Sequence, residues 1–225
     1  MSLLMNQVAI VTGAGTGLGR ATAIQLATEG ANVVLVGRRR EKLEEVAQII
    51  EQANGRSIVI PADVTDPEGV EYLREQVLTQ TERVDILINN AGGTGVYSSI
   101  HDLTYPSWDS VIRLNLYNPF LVTNAFLPKM REQQYGRIIS ITSVLANWSY
   151  ENYGAYSAAK AGLEALMKTV ALEEANNGIL VNLFDPGDLK TEQHPDGAGD
   201  PATVVDKIVT LVNSPVGWNG EVVKA

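Results

Sequence analysis

A chain of 225 residues with no cysteine and a net charge of −9 excludes several readings at once. Its length suits one compact α/β unit, since single cores stop growing near ~250–300 residues, and 45% hydrophobic against 19% charged residues is a globular balance, not a disordered one. The acidic excess repels phosphate backbones and anionic bilayers, so neither nucleic acid nor a membrane is the expected partner, while disulfides, thiolate metal sites and a cysteine nucleophile are all absent.

Residues 1–7 carry neither the basic nor the apolar stretch of a secretion signal, and no apolar run approaches the ~20 residues of a membrane helix. A cytoplasmic location is the expectation. Residues 7–11 read as a first strand and 19–29 as the helix after it. The pattern then repeats: strand 32–36 and helix 40–53, strand 57–61 and helix 68–79, strand 86–89 and a long helix over 105–132. It continues with strand 137–141 and helix 157–176, strand 180–183 and helix 202–212, and a last strand at 221–224. Most strands are continuous apolar runs, as expected when both faces of a parallel sheet are covered. Gly30, Gly55, Gly136 and Gly178 follow helical stretches, where a left-handed end favours glycine. The alternation predicts an α/β, Rossmann-type doubly wound fold: a seven-stranded, mostly parallel sheet with helices on both faces, in one domain over residues 1–225. Two readings stand for the Pro-, Gly- and Asp-rich stretch 192–201 after the sixth strand: a mobile lid over a ligand at the sheet edge, or a solvated connection.

The first strand runs into Thr12-Gly13-Ala14-Gly15-Thr16-Gly17-Leu18-Gly19, which opens directly into a helix. The G-x-G-x-x-G fingerprint fails because position 18 is leucine. A longer T-G-x-x-x-G-x-G turn does the same physical job: glycines admit a pyrophosphate close to the backbone, and the helix start offers unpaired N–H groups. Between a strand and a helix, such a turn points to a dinucleotide. The second strand's end selects which one. A carboxylate there would hold the ribose 2′-hydroxyl of NAD, but Gly37-Arg38-Arg39-Arg40 presents guanidiniums and no acid. NADP(H) is therefore expected over NAD(H), with Arg38 as principal contact and Gly37 and Arg39 beside it. The competing reading is a solvated helix start, balanced by Glu41, Glu44 and Glu45.

With these residues in view, the chain resembles the single-domain short-chain dehydrogenase/reductases from Thr12 to Gly220. Five motifs in order carry the resemblance: the glycine turn, Asp63-Val64, Asn89-Asn90-Ala91-Gly92, the Tyr156…Lys160 pair, and Pro186-Gly187…Thr191. It implies that Asp63 and Val64 contact adenine and that Asn89, Ala91 and Gly92 floor the ribose, with a strand-end stabiliser as the other reading of Asn89. It also implies that Pro186, Gly187 and Thr191 border the nicotinamide. Tyr156 and Lys160, four apart, share one helix face. The expected chemistry is a hydride passed between nicotinamide and a carbonyl or alcohol, with Tyr156 as acid–base residue. A phenol ionises near ~10, and the lysine and an oxidised nicotinamide would lower that value. Ser143 would position the substrate oxygen, Asn115 would order a water beside the lysine, and Lys160 would also hold the nicotinamide ribose.

The substrate itself is not written in the sequence. Resemblance to 3-oxoacyl carrier-protein reductases suggests ketone reduction; an NAD-dependent alcohol or sugar dehydrogenase and a non-catalytic nucleotide sensor are the alternatives. Trp148, Tyr150 and Tyr153 either line a substrate pocket or pack on the long helix. Trp108 and Trp218 read as packing. His101 and His194 lack a second ligand at metal spacing, so no metal is expected. The family carries a longer insertion after Thr191 and an Asp-Gly-Gly segment where this chain has Asn219-Gly220, which implies a smaller lid and a more open pocket. The long fourth and fifth helices resemble the family's subunit interface, which implies a homodimer or homotetramer.

Overall fold

The computed structural model describes residues 3–192, 194–215 and 217–225. Seven strands form one sheet: β1 (Val8–Thr12), β2 (Asn32–Gly37), β3 (Arg56–Pro61), β4 (Ile86–Asn89), β5 (Gly136–Ile141), β6 (Ile179–Asp185) and β7 (Val222–Lys224). Their order is β3-β2-β1-β4-β5-β6-β7, and every neighbouring pair is parallel. Helices α1 (Gly17–Thr28), α2 (Arg40–Gln52) and α7 (Val205–Val212) cover one face. Helices α3 (Pro67–Gln80), α5 (Asn118–Gln133) and α6 (Gly154–Glu174) cover the other, with α4 (Tyr105–Ile112) leading into α5.

The two helical layers explain the unbroken apolar strands. In β2, Val33 and Leu35 pack against the α1–α2–α7 side, while Val34 and Val36 pack against the opposite side. The same alternation splits Ala9 and Val11 from Val8 and Ile10 in β1. A strand with a core on each face has no polar side to show. Chain order reverses between β1 and β4, and ligands in such sheets sit outside the carboxyl ends of the strands at that switch.

Two local expectations are corrected. The helix predicted over 105–132 is two helices joined by a π-helical turn, Arg113–Tyr117. Asn115 causes the break: its Nδ2 donates to the Val111 carbonyl four residues back at 2.9 Å, competing for an acceptor of the helical ladder. Asn118 repeats the move on Leu114 O at 3.1 Å, and its backbone N–H reaches Arg113 O instead. Gly30 and Gly178 do take left-handed ends, but at the other two sites Asn54 and Gln134 hold the positive φ. Gly55 and Gly136 are needed for space instead, since a Cβ would lie 2.8 Å from Ile50 and 2.7 Å from Met130. In the stretch after β6, Lys190 N–H donates to Gly199 O at 2.7 Å and Gly199 N–H to Asp188 O at 2.9 Å. Gln193, within the predicted lid, lies outside the described residues, as do Met1 and Ser2 of the opening segment.

Candidate active site

At the switch point, Thr12 ends β1 fully buried. Its Oγ1 accepts the backbone N–H groups of Asn90 and Ala91, both at 3.0 Å, and donates to Ile88 O at 3.3 Å. This staple fixes the glycine turn against the loop after β4. Gly13 and Gly17 sit at φ +66° and +52°, the left-handed region that a side chain disfavours. Thr16 precedes α1 without a side-chain cap, and no acid stands in the first turn. The first N–H groups of α1 therefore have no partner from the chain's own side chains.

A groove of about 780 Å³ runs along this edge. One end is lined by Gly37, Arg38, Arg39, Asp63 and Val64, and its middle by Gly13, Gly15, Thr16, Gly17 and Leu18. The far end holds Ser143, Tyr156 and Lys160, with Ala91, Gly92, Pro186, Gly187 and Thr191 on the walls. Four expected site residues do not line it: Thr12, Gly19, Asn89 and Asn115 act from behind. Gly19 packs on the Gly13 backbone. Asn89 Nδ2 points into the layer, donating to Thr123 Oγ1 at 3.0 Å and Ser140 Oγ at 3.2 Å, which is the strand-end role. Its neighbour Asn90 lines the groove instead, and donates to Thr12 O at 2.8 Å. Asn115 exchanges hydrogen bonds with the Gly93 backbone at 2.8 and 3.1 Å, so it braces the loop over Lys160.

At the arginine end, Arg39 donates to Glu192 at 2.7 Å, a bond that holds its guanidinium charged, and Arg40 pairs with Glu44 at 3.5 Å. Among the described residues Arg38 makes no ion pair. Burial works against the Asp63 carboxylate, but the Thr65 N–H and hydroxyl at 2.9 and 2.7 Å, with the Arg38 charge, hold its pKa below the usual carboxylate range.

At the opposite end, burial pushes the Tyr156 phenol up to about 12, and the facing Ser143 hydroxyl pulls it back only in part. The lowering expected from Lys160 is not a property of the protein groups alone. The ammonium lies 5.6 Å from the Tyr156 ring centroid and donates to Ile141 O at 2.7 Å, not to the phenol oxygen. Burial brings Lys160 itself down to about 8.

A sequence profile for short chain dehydrogenase matches residues 7–197. The chain belongs to the short-chain dehydrogenase/reductase family. A 3-oxoacyl-[acyl-carrier-protein] reductase of Synechocystis sp. is 40% identical over 194 residues, covering 85% of this chain and 78% of that protein. An uncharacterised oxidoreductase of Staphylococcus aureus is 38% identical over 191 residues, 85% of this chain and 81% of its own. Among solved structures, levodione reductase superimposes with a TM-score of 0.94 at 28% identity, over 98% of this chain and 96% of its own. A metagenomic short-chain oxidoreductase in complex with NADP gives 0.89 at 32% identity, over 98% and 97%. The fold and enzyme class expected from the five motifs are thereby met: this is a short-chain dehydrogenase/reductase enzyme with the Rossmann sheet of its family. Among the described residues no helix is long and apolar enough to cross a membrane.

Tyr97 lines the groove of this short-chain dehydrogenase/reductase without a signal in the sequence. Tyr97 meets Tyr153 edge-on, centroids 4.9 Å apart, and the Tyr97 hydroxyl, then burial, raises the Tyr153 phenol to about 12. Tyr153 thus lines the groove, whereas Trp148 and Tyr150 stand exposed outside it. His194 also lines the groove, with Nε2 2.8 Å from Asp188. Glu192, paired with Arg39, joins the loop after β6 to the start of α2.

Lys160 gives the fold a pH signature. An unfolded lysine keeps its proton to about 10.5, while folded Lys160 releases it near 8, so the unfolded state binds more protons between them. Stability therefore rises with pH across that window. Tyr156 acts in the opposite sense only above pH 10, where unfolded phenols ionise first. The urea midpoint is expected to climb from pH 8 to 10, and the climb to disappear in Lys160→Met; a midpoint flat in both proteins refutes the assignment.

Proposed function

We propose that the groove binds NADP(H) and that Tyr156 is the acid–base residue of a reversible carbonyl reduction, within one domain spanning the chain. One observation carries the reading: Ser143, Tyr156 and Lys160 converge at one end of a single groove whose other end presents Arg38. The groove suits a dinucleotide, because Gly13 and Gly17 leave space only a residue without Cβ provides and the α1 start is uncapped and free of acid. Bound nicotinamide would supply the hydride. Tyr156 holds a proton at its hydroxyl at neutral pH and is placed to give it to a carbonyl oxygen. Ser143 offers that oxygen a second hydrogen bond and fixes its approach. Lys160, charged below about pH 8, faces Gly92 beside Asn115, where ribose hydroxyls would lie. Exposed Tyr117, Phe120 and Leu172 on and beside α5 and α6 support a homodimer or homotetramer.

Arg38 decides the cofactor. Arg38→Gln is expected to raise the NADPH dissociation constant by about 10- to 100-fold, the worth of a charge-assisted hydrogen bond, and to leave NADH within about twofold. Fluorescence titration with both nucleotides reads this directly. Glu192 favours the second reading, an NAD(H) enzyme, because it sets a carboxylate on the groove wall and engages Arg39. Wild-type protein that binds NADH as tightly as NADPH would decide for that alternative.

A further inference from the structure

Helix α6 carries Tyr156, Lys160 and Glu164 at four-residue spacing, on one face. The first two line the groove. Glu164 lies one turn deeper, 5% exposed, and the chemistry above makes no use of it. A buried carboxylate is costly unless donors surround it, and three do. Thr142 Oγ1 donates to Glu164 Oε1 at 2.9 Å, Asn147 Nδ2 reaches both oxygens at 3.3 and 3.4 Å, and Lys168 Nζ lies 3.3 Å from Oε2.

Two of those donors bracket Ser143. Thr142 precedes it, and Asn147 closes the single turn Val144–Ala146 that follows it. Apart from the bond from Lys160 to Ile141 O, Glu164 supplies the side-chain hydrogen bonds that tie this segment to α6 among the described residues. Ser143 is a weak anchor: its Oγ accepts from Leu145 N–H at 3.2 Å, and its hydroxyl faces the Tyr156 phenol closely enough to pull that group's pKa down in part. The gap between the two hydroxyls is therefore set by how the segment after β5 sits on the helix.

We propose that Glu164 is a positioning residue, whose carboxylate clamps Thr142 and Asn147 onto α6 and so fixes the reach between the Ser143 and Tyr156 hydroxyls. This rests on the reading that those two hydroxyls share one substrate oxygen. The clamp matters because a displacement of ~1 Å at reacting groups costs about 100-fold in rate. Glu164→Ala removes both donors' acceptor. Glu164→Gln keeps an amide oxygen for Thr142 and for the longer contact with Asn147, but puts an NH2 group where Oε2 accepts from Asn147 and Lys168.

The test observes Tyr156 without needing a substrate. Protein labelled with ¹³Cζ-tyrosine is studied by NMR at pH 7, and the Tyr156 resonance is identified by its loss in Tyr156→Phe. Ser143→Ala calibrates the shift that follows when the facing hydroxyl is gone. Glu164→Ala is expected to move the Tyr156 resonance in the same direction by about half that amount or more, and Glu164→Gln, which keeps the Thr142 bond, by less. A Tyr156 resonance at its wild-type position in Glu164→Ala, with Ser143→Ala displaced, overturns the proposal; a lowered Tm without that shift does so too, since it marks a purely structural role. If Ser143→Ala itself moves nothing, the partnership of the two hydroxyls falls and the clamp with it. Should Glu164→Ala not fold, Thr142→Val and Asn147→Ala each delete one donor and are read in the same way.

Discussion

Tyr156→Phe is expected to lower kcat for NADPH-driven carbonyl reduction by about 1,000-fold, within the ~10²–10⁴ range of a lost general acid. Binding of NADPH should stay within about twofold, because only an oxygen atom is removed. Tyr156 is buried, and burial chiefly, with Asp185 and the neighbouring tyrosines, raises its phenol to about 12. At neutral pH it is therefore a proton donor, which favours the reductive direction. Phenylalanine fills the same space but leaves the developing alkoxide with Ser143 as its one hydrogen-bond donor from this constellation. Steady-state kinetics and nucleotide titration on the same preparation separate the two effects. A variant that turns over within about threefold of wild type would remove Tyr156 from the chemistry.

The sheet was legible because its physics is repetitive. Val33-Val34-Leu35-Val36 is apolar at consecutive positions, and only a strand buried on both faces needs that. Strand ends shifted by one or two residues where polar or glycine residues still pair, as at Arg56, Gly136 and Asp185. The break in the long helix was not legible. Nothing at 113–117 breaks helices by propensity, and Pro119, whose ring suits a first turn, lies beyond it. The cause is tertiary: Asn115 is turned toward Gly93, 22 residues away, and takes a ladder carbonyl with it. The residue expected to serve the site thus also shapes the helix that carries it.

Within the site, motif positions were readable where backbone shape or charge demanded them, as at Gly13, Gly17 and Arg38. The division of labour was not. Thr12, Gly19 and Asn89 stand in the motifs and Asn115 was expected beside the lysine, yet all four hold the groove from behind through hydrogen bonds and close packing. Tyr97 and Glu192 come from segments with no periodic pattern, and reach the groove only because the loops after β4 and β6 converge at one sheet edge. Convergence of that kind is a property of strand order, and no local stretch of sequence displays it.

Gly19→Ala should abolish binding of NADPH and NADH together, raising both dissociation constants by more than about 100-fold, the scale of an ångström-sized misplacement. A Cβ at this position would press into the Gly13 carbonyl group, 2.8 Å from its carbon, and into the Asn90 amide. Neither neighbour has room to yield. Asn90 Nδ2 is committed to Thr12 O at 2.8 Å, and Thr12 is fully buried between β1 and the loop after β4. Either the glycine turn opens or α1 retreats, and both move the unpaired N–H groups away from a pyrophosphate. Overpacking of this kind costs ~1–3 kcal/mol, so a Tm loss of several degrees should accompany it. Gly220→Ala is the control: it lies away from the groove, the added methyl would meet only Ala171 Cβ at an ordinary 3.7 Å, and its φ of +80° is strained. It should lose stability with little change in either constant. Isothermal titration of the two variants against Arg38→Gln then separates shape from charge. A Gly19→Ala protein that lost NADPH alone would mean that the turn recognises the 2′-phosphate, and the pyrophosphate assignment would have to move elsewhere.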